Sequence, residues 1–141
     1  MSEPNFKVGW VIPNKIAVLT HFHSAITPED IQGVMTESGR LLQGADDEFH
    51  LIIDNRVAPL PKIYSLEQLQ DSSPILSHPL LKYLVVVKPM HLILPEIEEE
   101  SKNGVTLKNV ASVQEAFQFL SERTSIELTG DEMEFFPILT D

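Results

Sequence analysis

The chain has 141 residues, no cysteine and a formal net charge of −11 at pH 7. This length is typical of a single domain, and the absence of cysteine excludes a disulfide framework, a thiolate nucleophile and a cysteine zinc site. The acidity argues against nucleic acid and anionic membranes as partners, and the lack of both a ~20-residue apolar run and a signal peptide predicts a cytoplasmic protein.

The first third of the chain predicts a β-hairpin followed by a helix. Residues 6–12 alternate between apolar and polar side chains, and residues 16–22 form a second apolar segment after a tight turn. These two segments should pair as antiparallel strands. Thr27 can cap a helix that opens with a proline and two acidic residues, an arrangement typical of helix starts. Apolar residues at helical spacing extend this predicted helix over 28–43.

The middle of the chain predicts two strands separated by irregular or helical segments. Residues 49–54 predict a third strand that ends in polar residues. Ser65 begins a possible capping box and a short second helix, and two prolines predict a helical turn and loop over 73–82. Residues 83–87 are β-branched and continuously apolar, which predicts a buried fourth strand.

The remaining elements complete an α/β pattern. Four glutamates within 96–100 follow a proline and predict a short exposed helix. Residues 105–108 predict the fifth strand, and Ser112 with Glu115 forms a capping box for a final amphipathic helix. The order is β-β-α-β-α-β-α-β-α, in which crossovers of helix length impose parallel pairing on the later strands. We therefore expect an α/β fold with a mixed five-stranded sheet and helices packed alongside it.

The chain divides into a domain over 1–123 and a tail over 124–141. The tail carries five acidic residues and no lysine or arginine, interleaved with large apolar side chains such as Phe135 and Phe136. One interpretation is that the tail packs onto the sheet, or onto a second copy to form a homodimer. The other is that it is a recognition segment for a grooved, basic partner protein.

Three segments carry a resemblance to a known family. They read Ile26-Thr27-Pro28-Glu29-Asp30 after the hairpin, Leu51-Ile52-Ile53-Asp54, and a final helix that is similar to S-x-x-E-A-x-x-[WF]-L, Ser112-Val113-Gln114-Glu115-Ala116-Phe117-Gln118-Phe119-Leu120. Over about residues 6–123 the chain resembles the SpoIIAA-like (STAS-like) family, which shares the fold of anti-sigma factor antagonists. The resemblance implies a domain with a SpoIIAA-like sheet. It also implies that the first helix of this domain and residues 54–65 contact a partner protein.

The resemblance also raises the question of a phosphorylation switch. In anti-sigma factor antagonists an Asp-Ser-Ser-Gly motif starts the helix after the third strand, and its phosphoserine adds about two negative charges to the partner surface. Ser65 matches one serine by position, but the preceding Asp and the following Gly are missing. Residues 71–74 read Asp-Ser-Ser-Pro and come too late. Ser65 is therefore a candidate phosphosite and, alternatively, a plain helix cap.

His21 and His23 are the candidate metal ligands. Residues two apart on a strand point the same way, so both imidazoles could reach one metal, with a third ligand from His50, Asp54 or His91. Histidines at a strand end are, however, more often solvated, and the chain has no H-E-x-x-H motif. The sequence therefore predicts no metal and no cofactor.

Asp54 and Arg56 follow the carboxyl end of a predicted strand, the edge at which open α/β sheets bind ligands. The pair could hold a polar ligand or partner, or it could form an ion pair that supports the loop. The sequence contains no glycine-rich phosphate loop and no nucleophile elbow. We therefore expect a protein that is not an enzyme; catalysis at His21, His23 and Asp54 is a distant third hypothesis.

Two functions from different classes follow. The first is a STAS-like interaction or regulatory module whose partner is another protein or a second copy. Its candidate partner-binding residues are Asp54, Arg56, Ser65, Phe135 and Phe136. The alternative is a small-molecule or lipid binder with a cavity between helices and sheet. That cavity would be lined by Met35, Leu42, Phe117 and Leu120, which otherwise fill a core.

Overall fold

The computed structural model describes residues 6–20, 27–54, 56, 78–88, 98–100, 104–124, 126, 128 and 132. Within them the strands are β1 (Lys7–Ile12), β2 (Ile16–Thr20), β3 (Phe49–Asp54), β4 (Leu81–Val87), β5 (Glu98–Glu100) and β6 (Thr106–Val110), and the helices are α1 (Pro28–Gln43) and α2 (Val113–Arg123). The predicted α/β class is confirmed. Neither of these two helices combines the length and the apolar character that a membrane crossing requires.

One mixed sheet of six strands joins these elements in the order β1-β2-β3-β4-β6-β5. The opening hairpin is antiparallel, as predicted, and β2, β3, β4 and β6 are parallel neighbours. All five residues of β2 are buried, as expected for a parallel strand covered on both faces. The parallel pairing of the later strands, which was inferred from the element order, is therefore confirmed for β2, β3, β4 and β6.

Alternate residues of the central strands enter two apolar layers, because successive side chains of a strand point to opposite faces. On one face, α2 packs with residues from β2, β3, β4 and β6; the shared buried cluster includes Ile16, Val18, Ile52, Val85, Phe117 and Leu120. On the opposite face a second cluster includes residues from the end of α1 and from the strands, namely Ala17, Leu42, Phe49, Leu51, Leu84 and Leu107. The sheet is thus the middle layer of the fold.

Both predicted N-caps are present, but the reciprocal capping box forms only at Thr27, because the Glu115 carboxylate accepts from the backbone N of Ala111 at 2.9 Å and not from that of Ser112. Asp30 N donates to Thr27 Oγ1 at 3.2 Å, and Thr27 N donates back to Asp30 Oδ2 at 2.9 Å. At α2, Glu115 N donates to Ser112 Oγ at 3.1 Å. These bonds satisfy backbone donors that would have no partner inside the helix, which explains why both helices begin at these residues.

The prediction of a short helix over 96–100 is wrong for the residues that the structure describes. Glu98–Glu100 forms the edge strand β5, which pairs antiparallel with β6. Glutamate favours helices intrinsically, but the backbone hydrogen bonds of the ladder outweigh a preference of a few tenths of a kcal/mol per residue. Because β5 was not predicted, the sheet has six strands and not the five that the sequence predicted.

Other boundaries differ less. β4 begins at Leu81, two residues before the predicted start, so Leu81 and Lys82 belong to a strand and not to a loop. The predicted helix at Ser65 lies outside the described residues. Of the predicted tail, Ile126 packs against the cluster under α2, whereas Leu128 is 38% exposed.

The two glycines inside α1 provide a stability test of how this helix meets the rest of the fold. A Cβ on Gly33 would approach the Phe6 ring to 2.6 Å, whereas a Cβ on Gly39 would meet no atom within 4 Å. We expect Gly39→Ala to raise the free energy of unfolding by about 0.5–1 kcal/mol, because alanine loses less backbone entropy in a helix. Gly33→Ala should gain less or lose stability. Equal gains in urea unfolding would contradict the close approach of Phe6.

Candidate functional site

The carboxyl end of β3 is closed by a hydrogen-bonded ion pair. The Asp54 side chain is 1% exposed, and its Oδ2 accepts a hydrogen bond from Thr20 Oγ1 at 2.7 Å. Arg56 donates from Nε to Oδ1 and from Nη2 to Oδ2, both at 2.9 Å, and from its backbone N to Oδ1 at 3.1 Å. Both carboxylate oxygens are thus occupied, which matches the interpretation of an ion pair that supports the chain after β3.

The other residues predicted for partner or metal binding lie outside the described residues, and their roles stay predictions. They are Ser65, Phe135, Phe136, His21 and His23. Within the described ranges, no three His, Cys, Asp or Glu side chains come close enough to hold a metal ion together. His50 and Asp54, two candidates for a third ligand, lie at opposite ends of β3, about 13 Å apart along the strand.

The residues expected to line a cavity between helices and sheet are core residues. Leu42 is 2% exposed, Phe117 4% and Leu120 0%. Leu42 belongs to the cluster that β3 and β4 share with the end of α1, and the other two belong to the cluster under α2. Met35 is half-buried. The side chains of Leu42, Phe117 and Leu120 therefore fill the two apolar layers.

An open cleft of about 750 Å³ lies at the opposite edge of the sheet, where β3 and β4 begin. We call it the amino-edge cleft. Its lining comes from the β1–β2 turn, the segment before β3, the first residues of β3 and β4, and the end of α2. The side chains involved are Ile12, Lys15, Asp47, Glu48, His50, Lys82, Tyr83, Glu122, Arg123, Thr124 and Ile126.

His50 is the most unusual residue of this cleft. It is 5% exposed, and burial lowers its pKa to about 4, with a further contribution from the charges of Lys15 and Lys82. Its Nδ1 is buried and has no hydrogen-bond partner among the residues that the structure describes. The imidazole is therefore neutral at pH 7, and a pKa this low makes it a weak general base there.

Ring contacts connect His50 to the end of α2. The His50 and Tyr83 ring centroids are 5.3 Å apart, and Tyr83 meets Phe119 edge-on at 5.5 Å. The Arg123 guanidinium lies 4.8 Å from the centre of the Phe119 ring, a cation–π contact that holds its side chain over the aromatic surface.

Two ion pairs border the cleft. Arg123 donates two hydrogen bonds to the Glu98 carboxylate, at 2.7 and 3.0 Å, and these bonds lower the pKa of Glu98 and raise that of Arg123. This pair also joins β5 to α2. On the other side Lys15 lies 3.4 Å from Asp47, an exposed contact; the backbone N–H of Glu48 and then Lys15 lower the pKa of Asp47.

The amino-edge cleft was not anticipated from the sequence, in which His50 carried no signal of its own. In the sheet, His50 is in register with Ile16 on one side and with Tyr83 on the other. The residues just before these two partners are Lys15 and Lys82. The available sequence signal was a lysine next to the start of two apolar strands, Lys15 before β2 and Lys82 near the start of β4. The register is needed to show that both lysines lie at the same edge of the sheet as His50.

Comparisons with models of protein families, with curated proteins and with solved structures found no match to this chain. The two ends of β3 differ in what they offer to a ligand. One end is closed by an internal ion pair, and the other is open to solvent.

The ion pair at Asp54 gives a stability prediction. We expect Asp54→Ala to lower the free energy of unfolding by about 3 kcal/mol, because it leaves Thr20 and a largely buried Arg56 without their shared acceptor. Asp47→Ala is the matched control, since it removes an aspartate from an exposed ion pair. Urea unfolding compares the two variants, and similar losses for both would contradict a supporting role of Asp54.

His50 gives a pH prediction. Its pKa is about 4 in the folded chain and near 6.5 when unfolded, so the unfolded state binds more protons between these values. The stability that comes from a neutral His50 is present above pH 6.5 and is lost as pH falls towards 4. Between pH 7 and 4.5, the wild type should lose about 2 kcal/mol more unfolding free energy than His50→Leu. Equal pH dependence in urea unfolding would refute the low pKa.

Proposed function

We propose that this chain is a non-enzymatic protein–protein interaction module of the STAS-like type, and that it associates with a second copy of itself. Asp54, Arg56, Ser65, Phe135 and Phe136 are its proposed partner-binding residues. The tail residues Phe135 and Phe136 supply the apolar part of the contact between copies. The ion pair of Asp54 and Arg56 acts as a support for the neighbouring partner surface.

The observation that carries this proposal is the filled interior. A binder of small molecules or lipids with a cavity between helices and sheet requires its helical stripes to border open space. Leu42, Phe117 and Leu120 are instead at most 4% exposed, inside the two apolar layers. The fold therefore has the solid interior expected of a protein that works through its surface.

The segments that resemble the SpoIIAA-like family support the same proposal. The hairpin is followed by a capped helix at Thr27, β3 ends at Asp54, and Ser112 caps the last helix. Each segment thus has the local structure that the resemblance implies. The side chains offer weak support for catalysis, since His50 is a poor base at pH 7 and the Asp54 carboxylate is fully paired.

Self-association of the chain can be measured directly. We expect a concentration-dependent dimer in sedimentation velocity at micromolar concentrations, and a monomer for the double variant Phe135→Ser/Phe136→Ser. Because each copy carries a net charge of −11, added NaCl should strengthen the dimer, since at 0.1 M salt the repulsion between exposed charges more than about 10 Å apart is largely screened. Gln114→Ser, on the exposed side of α2, is the control and should remain dimeric.

Two further measurements decide between the alternatives. At protein concentrations low enough for the wild type to be monomeric, the urea unfolding free energy of the double variant should equal that of the wild type if Phe135 and Phe136 contact a second copy. If the wild type is a monomer and the double variant has a much lower unfolding free energy, the tail packs on its own chain. A monomer that binds the fluorescent fatty acid cis-parinaric acid, with an affinity that Lys82→Gln in the amino-edge cleft leaves unchanged, would favour the alternative function, the lipid or small-molecule binder.

A further inference from the structure

Two lysines and the buried His50 line the amino-edge cleft of this strongly acidic chain. His50 is the second residue of the central strand β3, and the residues that precede its two register partners are Lys15 and Lys82. Both ammonium groups act on the His50 ring, and no carboxylate contributes to its pKa. The charges that act on His50 are therefore those of two lysines, although the chain as a whole carries −11 and Asp47, Glu48 and Glu122 also line the cleft.

The other charges of the cleft are engaged or lie away from His50. Arg123 is held by Glu98, Asp47 faces Lys15, and the Glu122 carboxylate accepts a hydrogen bond from Gln118 at 3.4 Å. Glu48 is exposed. Within the described residues Lys82 is left as an exposed ammonium group with no hydrogen bond or ion pair. It is the charge most available to a ligand.

The ring of His50 adds a directed hydrogen-bond donor. Its Nδ1 is buried without a partner among the described residues, and a proton there would be an unpaired buried donor, which proteins rarely tolerate. The neutral ring therefore carries its proton on Nε2. Because His50 lines the cleft, Nε2 is the ring nitrogen that can donate to an acceptor in it.

Part of the cleft lining is apolar. Ile12 and Ile126 are partly buried hydrophobic residues of the cluster under α2, and Tyr83 presents an aromatic ring between His50 and Phe119. The volume of about 750 Å³ falls within the usual range for pockets that bind small organic molecules. The carboxylates of Asp47, Glu48 and Glu122, which also line the cleft, would disfavour a ligand with more than one anionic group.

We propose that the amino-edge cleft binds a small organic anion, an apolar body with a single carboxylate or phosphate group. The oxyanion lies near Lys15 and Lys82 and accepts a hydrogen bond from His50 Nε2. The apolar body lies against Ile12, Tyr83 and Ile126. This site shares no residue with the proposed partner-binding set, so it can be tested whether or not the chain forms a dimer.

The test uses three probes that share a phenyl body. The ring NMR signals of His50, assigned by their loss in His50→Gln, are followed at pH 7 during titration of the full chain with 3-phenylpropionate, phenyl phosphate and 3-phenylpropanol. We expect one of the anions to bind and the alcohol to bind at least about fivefold more weakly. The anion that binds more tightly identifies the carboxylate or the phosphate as the recognised group. Phenyl phosphate should also raise the pKa of His50, because a nearby anion favours the charged ring.

Matched charge variants locate the site. Lys82→Gln should weaken binding of the preferred anion by at least about fivefold, which corresponds to about 1 kcal/mol. Arg40→Gln removes one positive charge from the exposed surface of α1 and should leave the affinity unchanged. Lys15→Gln is a second cleft variant, expected to act like Lys82→Gln.

Three results would overturn the proposal. The first is no movement of the His50 signals with either anion up to about 10 mM, a concentration at which even weak sites fill. The second is equal affinity for 3-phenylpropanol, since the oxyanion would then contribute nothing. The third is an equal effect of Lys82→Gln and Arg40→Gln, which would reduce the effect to overall charge.

Discussion

The structure depends on the parallel pairing of β2, β3 and β4, which are buried on both faces. A parallel strand in the middle of a sheet needs an apolar layer on each side, because its side chains alternate between the two faces. The clusters on the two faces of the sheet supply those layers. The hairpin partner β1 and the acidic strand β5 occupy the edges, where partial exposure is tolerated.

This arrangement gives the two ends of β3 different chemical roles. At the carboxyl end Asp54 is buried, and Thr20 and Arg56 use its hydrogen-bonding capacity. A ligand there would have to displace Arg56 and leave a buried carboxylate unpaired, which is costly. At the amino end His50 is buried but its Nδ1 lacks a partner in the described part of the chain. The hydrogen-bonding group without a described partner, on His50, therefore lies at the amino end of β3. Open α/β sheets usually bind ligands at the other end, the carboxyl end of the strands.

The proposed function and the proposed anion site involve different residues. The partner-binding proposal concerns Asp54, Arg56 and Ser65 together with Phe135 and Phe136 of the tail, whose sequence is acidic and apolar. The anion site lies among Lys15, Lys82 and the end of α2, which also carries the Arg123–Glu98 pair.

The sequence alone determined the elements whose signals are local. Thr27 and Ser112 are caps that satisfy backbone donors within three residues, and the buried strands are visible as apolar runs, so α1 and the α/β class could be predicted. The strand at Glu98–Glu100 could not, because local preference favours a helix there and only pairing with β6 overrides it. The cleft at His50 likewise required the tertiary structure. Lys15, His50 and Lys82 are far apart in the chain, and only the register of β2, β3 and β4 brings them together.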